Sequence, residues 1–524
     1  IPDNASVVMS FNNKQIVEKG ELNKYNDFNL YQLLRNEISN ENDKLVSMFD
    51  EFMKDTRSSG LNLDKVYVYA LSPESKDSDD SDDYYYDYSN GFDYRILFKI
   101  DNVKTFESKL KELMTIDGDG MEPEIKADYK QLSLDRKTRV IWNDNLLYML
   151  GSDRRIAEET TFSNLFTAVE NNLSKNTDYM EYAKASDDWA MWISYGSFMD
   201  MYGRMSGISL NTFKNIFMFD ISKLHIYAGV NFENGKAVFK GHIGPKADVD
   251  KMAKDYKFIK TDFDNSLLKY FPENTYTVMK LSVNPQEYIR YVKDVLKKVV
   301  ETEANDDNDS YYGRSEYMME ELNEIFEDET FKTIVNGLEG DALLSIYDFQ
   351  QGLIPMPMGS LIVNVKNKET YDAIVKLLPK DVFKNTGKFY SIMSGPMSLG
   401  YLGFNDNKIF ATTDEKAMNN FLEKGYDKNL GNSAYAKELK SDIFYWNVNL
   451  DLEAYPEHIK NLLRNAMGRE YNIFTSFMIY KNIEYRISNM YGGEVVLNML
   501  NKTNNSLKVI LKNLDENISS LMGR

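Results

Sequence analysis

The 524-residue chain contains no cysteine, and it contains histidine only as His225, His242 and His458. Without thiols it can form no disulfide, no thiolate metal site and no cysteine nucleophile. The absence fits a bacterial exported protein, because stray thiols are a liability in an oxidising compartment. The histidines form no His-Glu-x-x-His motif, and no carboxylate stands at the spacing of a two-histidine, one-carboxylate site. We therefore expect structural or surface roles for them and no metal site.

Common catalytic and phosphate-binding motifs are also missing. The string nearest to a serine-hydrolase elbow is Gly395 to Gly400, and its serine is one position off. Gly387-Lys388 lacks the upstream glycine of a P-loop, and no Gly-x-Gly-x-x-Gly follows a strand. The sequence therefore assigns no catalytic residue, no ligand-binding residue and no cofactor. Carboxylate pairs stay open, because 81 acidic residues allow many chance pairs in space.

Basic charge and long apolar runs are scarce. The 62 basic and 81 acidic side chains give a net charge of −19, which repels a phosphate backbone, so we predict no nucleic-acid partner. No apolar stretch approaches the ~18 residues of a membrane-spanning helix. The most apolar region, residues 352–365, is interrupted by Pro355 and Pro357. We predict no transmembrane span. The 36 tyrosines and 29 phenylalanines can nevertheless fill large cores.

What the chain does have is an internal repeat. Residues 1–4 lead into Val8-Met9, and residues 271–274 lead into Val278-Met279 at an offset of 270. Other landmarks keep their order in both halves: Gly60 and Gly337, the candidate helix caps Asn102 and Asn367, the turns Trp142–Asn145 and Phe404–Asn407, and Trp192 and Trp446. We predict two tandem copies of one unit, residues 1–270 and 271–524. No proline- or glycine-rich linker separates them, so we expect the copies to pack against each other around a ligand cleft.

Strand pairs with short turns outnumber alternating strand–helix units in each half. This pattern predicts an α+β fold with mainly antiparallel sheets. The strongest hairpin signal is Asn234-Gly235, between strands predicted over 224–230 and 236–243. We predict its counterpart around Asn504-Asn505, between strands over 494–500 and 507–511.

Three acidic stretches are candidate calcium sites: Asp77–Asp83 with the tyrosine-rich 84–88, Asp117–Gly120, and Asn305–Asp309. An EF-type loop needs glycine at its sixth position and glutamate at its twelfth, and none of them has both. We interpret them as solvated loops, with a calcium-stabilised adhesin as the weaker alternative. Because Trp192 and Trp446 recur, we expect each to anchor a core. Trp189 has no tryptophan counterpart, so we expect it to be the exposed ring.

The opening Ile1-Pro2-Asp3-Asn4-Ala5-Ser6-Val7-Val8, with its echo at Phe271, resembles a family of uncharacterised exported lipoproteins of Gram-negative gut anaerobes, classified as a domain of unknown function. The resemblance implies a lipid-modified cysteine upstream of Ile1. It therefore implies an exported protein, in the periplasm or at the outer membrane, held to the membrane only through that lipid. It transfers no catalytic residues.

Two functions are consistent with these observations. The leading hypothesis is a non-enzymatic envelope lipoprotein that binds or scaffolds a partner, with a glycan, a peptide or another envelope protein as its ligand. The alternative is an Asp/Glu-dependent hydrolase acting on glycan or peptide, which requires a closely spaced carboxylate pair in a pocket of one copy.

Overall fold

A computed structural model describes residues 1–41, 43–71, 93–116, 122–153, 155–157, 160–167, 170–199, 220–303, 312–351, 355–476 and 478–522. The candidate calcium loops 77–88, 117–120 and 305–309 lie outside these residues. The described chain forms two compact units. Unit 1 contains residues within 1–199, 221–245 and 501–522, and unit 2 contains residues within 246–500.

Strands make up the centre of each unit. Those of unit 1 are β1 (Ala5–Phe11), β2 (Leu61–Leu71), β3 (Asp93–Ile100), β4 (Glu124–Ile125), β5 (Lys130–Ser133), β6 (Thr138–Trp142), β7 (Leu146–Ser152), β8 (Trp189–Ser194), β9 (His225–Glu233) and β10 (Lys236–Gly244). Those of unit 2 are β11 (Thr277–Ser282), β12 (Leu338–Gln350), β13 (Met356–Val365), β14 (Phe383–Asn385), β15 (Tyr390–Ser394), β16 (Met397–Asn405), β17 (Lys408–Thr412), β18 (Phe444–Asn449), β19 (Tyr480–Asn489) and β20 (Gly492–Met499).

Helices connect and cover the strands. In chain order they are α1 (Asn13–Gly20), α2 (Asn29–Glu41), α3 (Asp43–Lys54), α4 (Val103–Ile116), α5 (Thr177–Ala183), α6 (Lys246–Tyr256), α7 (Pro285–Glu303), α8 (Tyr312–Glu327), α9 (Glu329–Gly337), α10 (Lys368–Leu377), α11 (Glu415–Leu422), α12 (Ala436–Ser441), α13 (Glu457–Met467), α14 (Glu470–Ser476) and α15 (Ser506–Met522). Among these described helices, none is long and apolar enough to cross a membrane.

The strands of each unit form an antiparallel sheet, and the two sheets have the same order. In unit 1 the order is β10-β9-β8-β1-β2-β3-β7-β6-β5-β4. In unit 2 it is β20-β19-β18-β11-β12-β13-β17-β16-β15-β14. Adding ten to each strand number converts the first order into the second. The predicted α+β class with large antiparallel sheets is confirmed.

The compact units are not continuous segments of the chain. Helix α6, which follows β10, belongs to unit 2, and helix α15, which follows β20, belongs to unit 1. In unit 1, α15 packs against α1, α2 and β9. Asp515 of α15 accepts hydrogen bonds from the backbone N–H groups of Asn29 (2.9 Å) and Leu30 (2.8 Å), which open α2. A contact 485 residues apart in sequence thus caps a helix.

Local signals account for many of the turns and caps. The side-chain oxygens of Asn102 and Asn367 accept hydrogen bonds from Thr105 N and Thr370 N, as predicted for helix caps. In the turn between β16 and β17, Asp406 and Asn407 have φ of 49° and 55°, a left-handed conformation that these residue types tolerate.

The predicted strand over 507–511 is wrong, because these residues belong to helix α15. Apolar side chains at 507, 510, 511 and 514 recur at helical spacing. The Asn505 side chain accepts a hydrogen bond from Leu507 N (3.0 Å), so it begins a helix and does not turn a hairpin. The hairpin that corresponds to β9–β10 is β19–β20.

The prediction that Trp192 and Trp446 occupy equivalent positions in the two units is also wrong. In the sheets, Trp192 lies opposite Val8, but Trp446 lies opposite Met279, one position further along the strand. A shift of one residue turns a side chain to the other face of a sheet. Trp192 is therefore 3% exposed and Trp446 is 45% exposed. Trp446, and not the half-buried Trp189, is the exposed ring.

Candidate functional site

One face of the unit 1 sheet carries the candidate site. Cross-strand partners share a face, so the register places Val8, Tyr69 and Arg95 side by side across β1, β2 and β3. Leu97, two residues after Arg95, lies opposite Tyr148 of β7. Residues of the connection from β7 to α5 pack over this face, where Phe162 and Leu173 join the core that contains Tyr69, Tyr148 and Trp192.

A cavity of about 760 Å³ lies on this face. Its lining comes from the sheet, from the segment before β1 and from the connection between β7 and α5: Ile1, Pro2, Asp3, Asn4, Tyr69, Leu71, Arg95, Leu146, Tyr148, Asn164, Leu165, Phe166, Thr167, Asn171 and Asn172. Cavities of roughly 300 to 1,000 Å³ with a mixed apolar and polar lining are typical of small-molecule sites. The cavity is therefore large enough for an organic ligand.

Arg95 is the cation of this lining. Its guanidinium carbon lies 5.8 Å from the centroid of the Tyr69 ring. Burial raises the pKa of Tyr69, and both the charge of Arg95 and its hydrogen bond with Tyr69 oppose that rise. Burial likewise raises the pKa of Tyr148 to about 12, again against the opposing effect of Arg95. Both phenols are therefore neutral hydrogen-bonding groups at physiological pH, and Arg95 lies close to each of them.

The hydrogen bonds around Arg95 leave one donor unused. Its Nε is buried and has no hydrogen-bond partner within the described parts of the chain. The hydroxyl of Tyr148, by contrast, donates to the carbonyl oxygen of Leu165 at 3.0 Å. A buried donor without a partner costs about 1–3 kcal/mol relative to a satisfied one. Arg95 is therefore the group of this cavity that gains most from an added acceptor.

The equivalent face of unit 2 is closed. Val278, Ser345 and Ser360 occupy the positions of Val8, Tyr69 and Arg95, and Phe410 takes the position of Tyr148. Ser345 donates to the Thr277 carbonyl at 3.0 Å, and Ser360 donates to Thr412 Oγ1 at 2.8 Å.

Apolar side chains cover these serines in unit 2. Residues of α11 and of the segment before β11 join Phe410 in one buried cluster that includes Leu267, Leu268, Met418 and Phe421. Small internally bonded serines and a covering helix thus leave a packed core. In the described part of unit 1, the stretch between β7 and residue 172 contains a single short 3-10 turn, Ser163–Leu165, in place of a helix like α11.

A second polar group lies further along the unit 1 sheet. The hydroxyl of Tyr227 donates to Asp187, and the Tyr227 ring stacks on Tyr182 with centroids 4.3 Å apart. His225 Nε2 lies 3.2 Å from Asp178, and its ring stacks on Trp192. Burial lowers the pKa of His225, although Asp178 acts in the opposite direction. The cavity beside this group measures about 30 Å³, which is room for a water molecule and not for a substrate.

The sequence-predicted sites contribute little to this picture. His225 and His242 lie on neighbouring strands as expected. The His242 ring packs near Tyr182 and Tyr227, whereas the His225 ring stacks on Trp192. Ser398 lies within β16, where its hydroxyl donates to the Gly400 carbonyl at 3.3 Å. Within the described ranges, no group of three or more His, Asp or Glu side chains is placed to hold a metal ion.

No local sequence motif marks Arg95 as a functional residue. Alternate residues of a strand share a face, and in β3 both faces carry apolar side chains. One face has Arg95 and Leu97, and the other has Ile96 and Phe98. No amphipathic pattern therefore shows that Arg95 faces inward. A comparison of the two halves could have identified Arg95, because the other half has Ser360 at the equivalent position. The low similarity of the halves hides that correspondence until the sheet register is known.

Fold and cavity together define a two-unit α+β protein with a ligand-sized cavity in unit 1. The chain belongs to the family described as "Domain of unknown function (DUF4836)", whose model matches residues 1–517. The expected membership of an uncharacterised family is confirmed. No curated protein matches the chain. A solved structure titled "Structure of crystal form IV of TP0453" matches with a TM-score of 0.23 and 10% identity, over 49% of this chain and 85% of that one. A likeness at that score carries no argument.

Proposed function

We propose that the protein binds a small ligand in the unit 1 cavity and that unit 2 supports the fold without a site of its own on the equivalent face. The observation that carries this proposal is the contrast at equivalent strand positions: a cavity of about 760 Å³ beside Arg95 in unit 1, and a packed core around Ser360 in unit 2. Packing of a core needs no such asymmetry, whereas a binding site does.

Binding is favoured over hydrolysis by the lining of the cavity. Asp3 is its one acidic side chain among the described residues. Glycoside hydrolysis requires two carboxylates about 5 to 10 Å apart, one to donate a proton and one to activate water or attack. The described residues of the lining also include no histidine or lysine to serve as a general base at neutral pH.

A cavity-filling variant tests the proposal. Purified protein would be screened by ligand-observed NMR against oligosaccharides, peptides and small organic acids. We expect hits whose binding is lost in Leu146→Trp, since the Leu146 side chain lines the cavity. The matched control is Leu399→Trp, the same change at an exposed position of unit 2, which should bind as the natural protein does.

Two outcomes would contradict the proposal. One is a set of ligands that bind equally well to folded Leu146→Trp. The other is steady conversion of a bound glycan or peptide to product, abolished by a single carboxylate change, which would favour the hydrolase.

We further propose that the two units arose by duplication. The identical strand order and the sequence echo at an offset of 270 support this. Helices α6 and α15 follow equivalent strands, so each copy contributes its last helix to the other compact unit. An experimental structure in which the two sheets differ in strand order would refute it.

For the cellular location, we propose an exported lipoprotein anchored in the cell envelope. The lack of cysteine in the 524 residues and the opening Ile-Pro-Asp-Asn sequence before β1 support this proposal. Mass spectrometry of the protein purified from its source, after membrane fractionation, should find an acylated N-terminal cysteine. Recovery of an unlipidated protein in the cytosolic fraction would contradict it.

A further inference from the structure

Arg95 differs from other arginines of the molecule in how its charge is compensated. In unit 1, Arg35 is paired with Asp50 at 3.0 Å. In unit 2, Arg486 is hydrogen-bonded to Glu484 and lies 3.5 Å from Glu494. No carboxylate of a described residue lies within 4.0 Å of the Arg95 guanidinium. Of these three arginines, the half-buried Arg95 is therefore the one without a carboxylate partner among the described residues.

Burial of the Arg95 charge costs free energy unless another group replaces the lost hydration. A hydrogen bond to the neutral phenol of Tyr69 compensates a partly desolvated cation less than a carboxylate does, and a carboxylate partner would restore what water no longer supplies. The position on β3 does not require an arginine for packing, because the same sheet position in unit 2 holds Ser360.

We infer that the ligand of the unit 1 cavity carries a carboxylate, which Arg95 binds in a bidentate manner through Nε and a terminal nitrogen. This inference rests on the proposed function and adds the chemical class of the ligand. The planar guanidinium matches a carboxylate with two parallel hydrogen bonds. The phenol groups of Tyr69 and Tyr148 border the same space and add polar contacts.

A carboxylate suits this lining better than a phosphate. Among the described residues, the lining has Arg95 as its basic side chain and no lysine, and it also contains the acidic Asp3. This set favours a ligand group with one negative charge over a phosphate monoester, which carries about −1.5 to −2 at pH 7. Leu71, Leu146, Leu165 and Phe166 provide an apolar surface next to the cation. The ligand is therefore a small acid whose carboxylate is attached to an apolar body.

The net charge of −19 does not prevent such binding. At physiological ionic strength, charges more than about 8 Å apart in solvent are largely screened, so the distant acidic side chains act weakly on a bound ligand. The contact with Arg95 is short-range and partly desolvated, and it decides the affinity. The acidic surface slows the approach of an anion without cancelling the local attraction.

Matched small molecules test the inference directly. The affinities of 3-phenylpropanoate, 3-phenylpropanamide and 2-phenylethyl phosphate for the full chain would be measured by calorimetry or ligand-observed NMR. We expect the acid to bind at least roughly tenfold more tightly than the neutral amide of the same shape, since a charge-assisted pair is lost in the amide.

Variants then locate the effect. Arg95→Leu should weaken binding of the acid roughly 10- to 100-fold and leave the amide nearly unchanged, and Arg95→Lys should fall between them. The control is Lys99→Leu, which removes the same charge four residues further along β3 but lies outside the cavity lining. Thermal melting of each variant confirms that it is folded, and the comparison of acid with amide needs no variant at all.

Each other outcome overturns the inference. Equal affinity of acid and amide would show that the charge is not recognised, while leaving the proposed binding function intact. Tighter binding of the phosphate than of the carboxylate would show that the ligand carries a different anionic group. A further result would be that no acid binds, while neutral ligands bind the natural protein and do not bind Leu146→Trp. That result would refute the inference of a carboxylate ligand and would support the cavity as the binding site. Failure of all classes of ligand at the cavity would refute both.

Discussion

The two sheets share one strand order, yet one face of unit 1 contains a cavity, whereas the described residues on the same face of unit 2 form a packed core. The difference lies in a few side chains and one connection. Arg95 and Tyr148 stand where unit 2 has Ser360 and Phe410. Helix α11 covers the face in unit 2, and the described connection after β7 in unit 1 contains only a short turn there. Backbone topology therefore set the position of the site, and side chains decided whether it is open.

The largest expected effect comes from exchanging the residues at the equivalent position on β3 and β13. Ser360→Arg would bury an unpaired cation in a packed core, and we expect unit 2 to lose roughly 3–5 kcal/mol of unfolding free energy or to fail to fold. Arg95→Ser removes a cation that forms no ion pair with a described residue and should change the stability by less than about 1 kcal/mol. Urea denaturation of both variants measures the contrast. Equal losses would show that the two faces are not differently packed.

A second contrast concerns the next inward position on the central strand, which is Ser10 in unit 1 and Lys280 in unit 2. Lys280 is 2% exposed, its ammonium donates to the Asp442 carbonyl, and it lies 4.6 Å from the centroid of the Phe263 ring. Burial lowers the pKa of Lys280 from 10.5 to about 8, although Asp341 and Asp442 oppose this. The native protein therefore releases a proton at a lower pH than the unfolded chain does.

The sign of the pH effect follows from proton binding. Between pH 8 and 10.5 the unfolded lysine holds a proton that the folded one has lost, so the stability due to this group rises with pH across that window. We expect the rise to total on the order of 3 kcal/mol. Denaturation curves of Lys280→Met should lack this rise, whereas the exposed control Lys424→Met should keep it. A rise of the same size in both variants would contradict the assignment to Lys280.

The smallest expected effects compare the two terminal helices. Asp515→Ala removes the acceptor for the first N–H groups of α2 and should cost about 1–2 kcal/mol, as loss of a helix cap does. In unit 2, the Tyr256 hydroxyl at the end of α6 donates to Asp294 of α7 at 3.0 Å, and Tyr256→Phe should cost about 1 kcal/mol. Urea denaturation checks both. An unchanged stability for Asp515→Ala would mean that α15 does not hold α2 in place.

Much of the local structure could be read from the sequence. Asn102 and Asn367 cap helices because their side chains reach the free N–H groups two or three residues on. Gly235, with φ of 73°, turns the hairpin β9–β10 because glycine adopts positive φ without steric cost. These features depend on a few neighbouring residues.

Other features depended on register and on distant partners. Trp192 and Trp446 look equivalent in sequence, but a difference of one position in the pairing put them on opposite faces. Residues 507–511 form a short apolar run, which is compatible with either a strand or a helix. Packing of α15 against α1 and α2 supports the helix. Arg95 had no local feature that distinguished it from a surface arginine.

The sequence by itself determined the class of fold, the repeated order of elements, the acidic and thiol-free chemistry, and the resemblance to a family without assigned function. Each of these follows from the composition or from residues close together along the chain. The tertiary structure decided which strands face each other, which unit receives each terminal helix, and that Arg95 lies in a cavity with no ion pair to the described part of the chain. Those properties arise from contacts between residues far apart in sequence, where a shift of one residue reverses which side chains are buried.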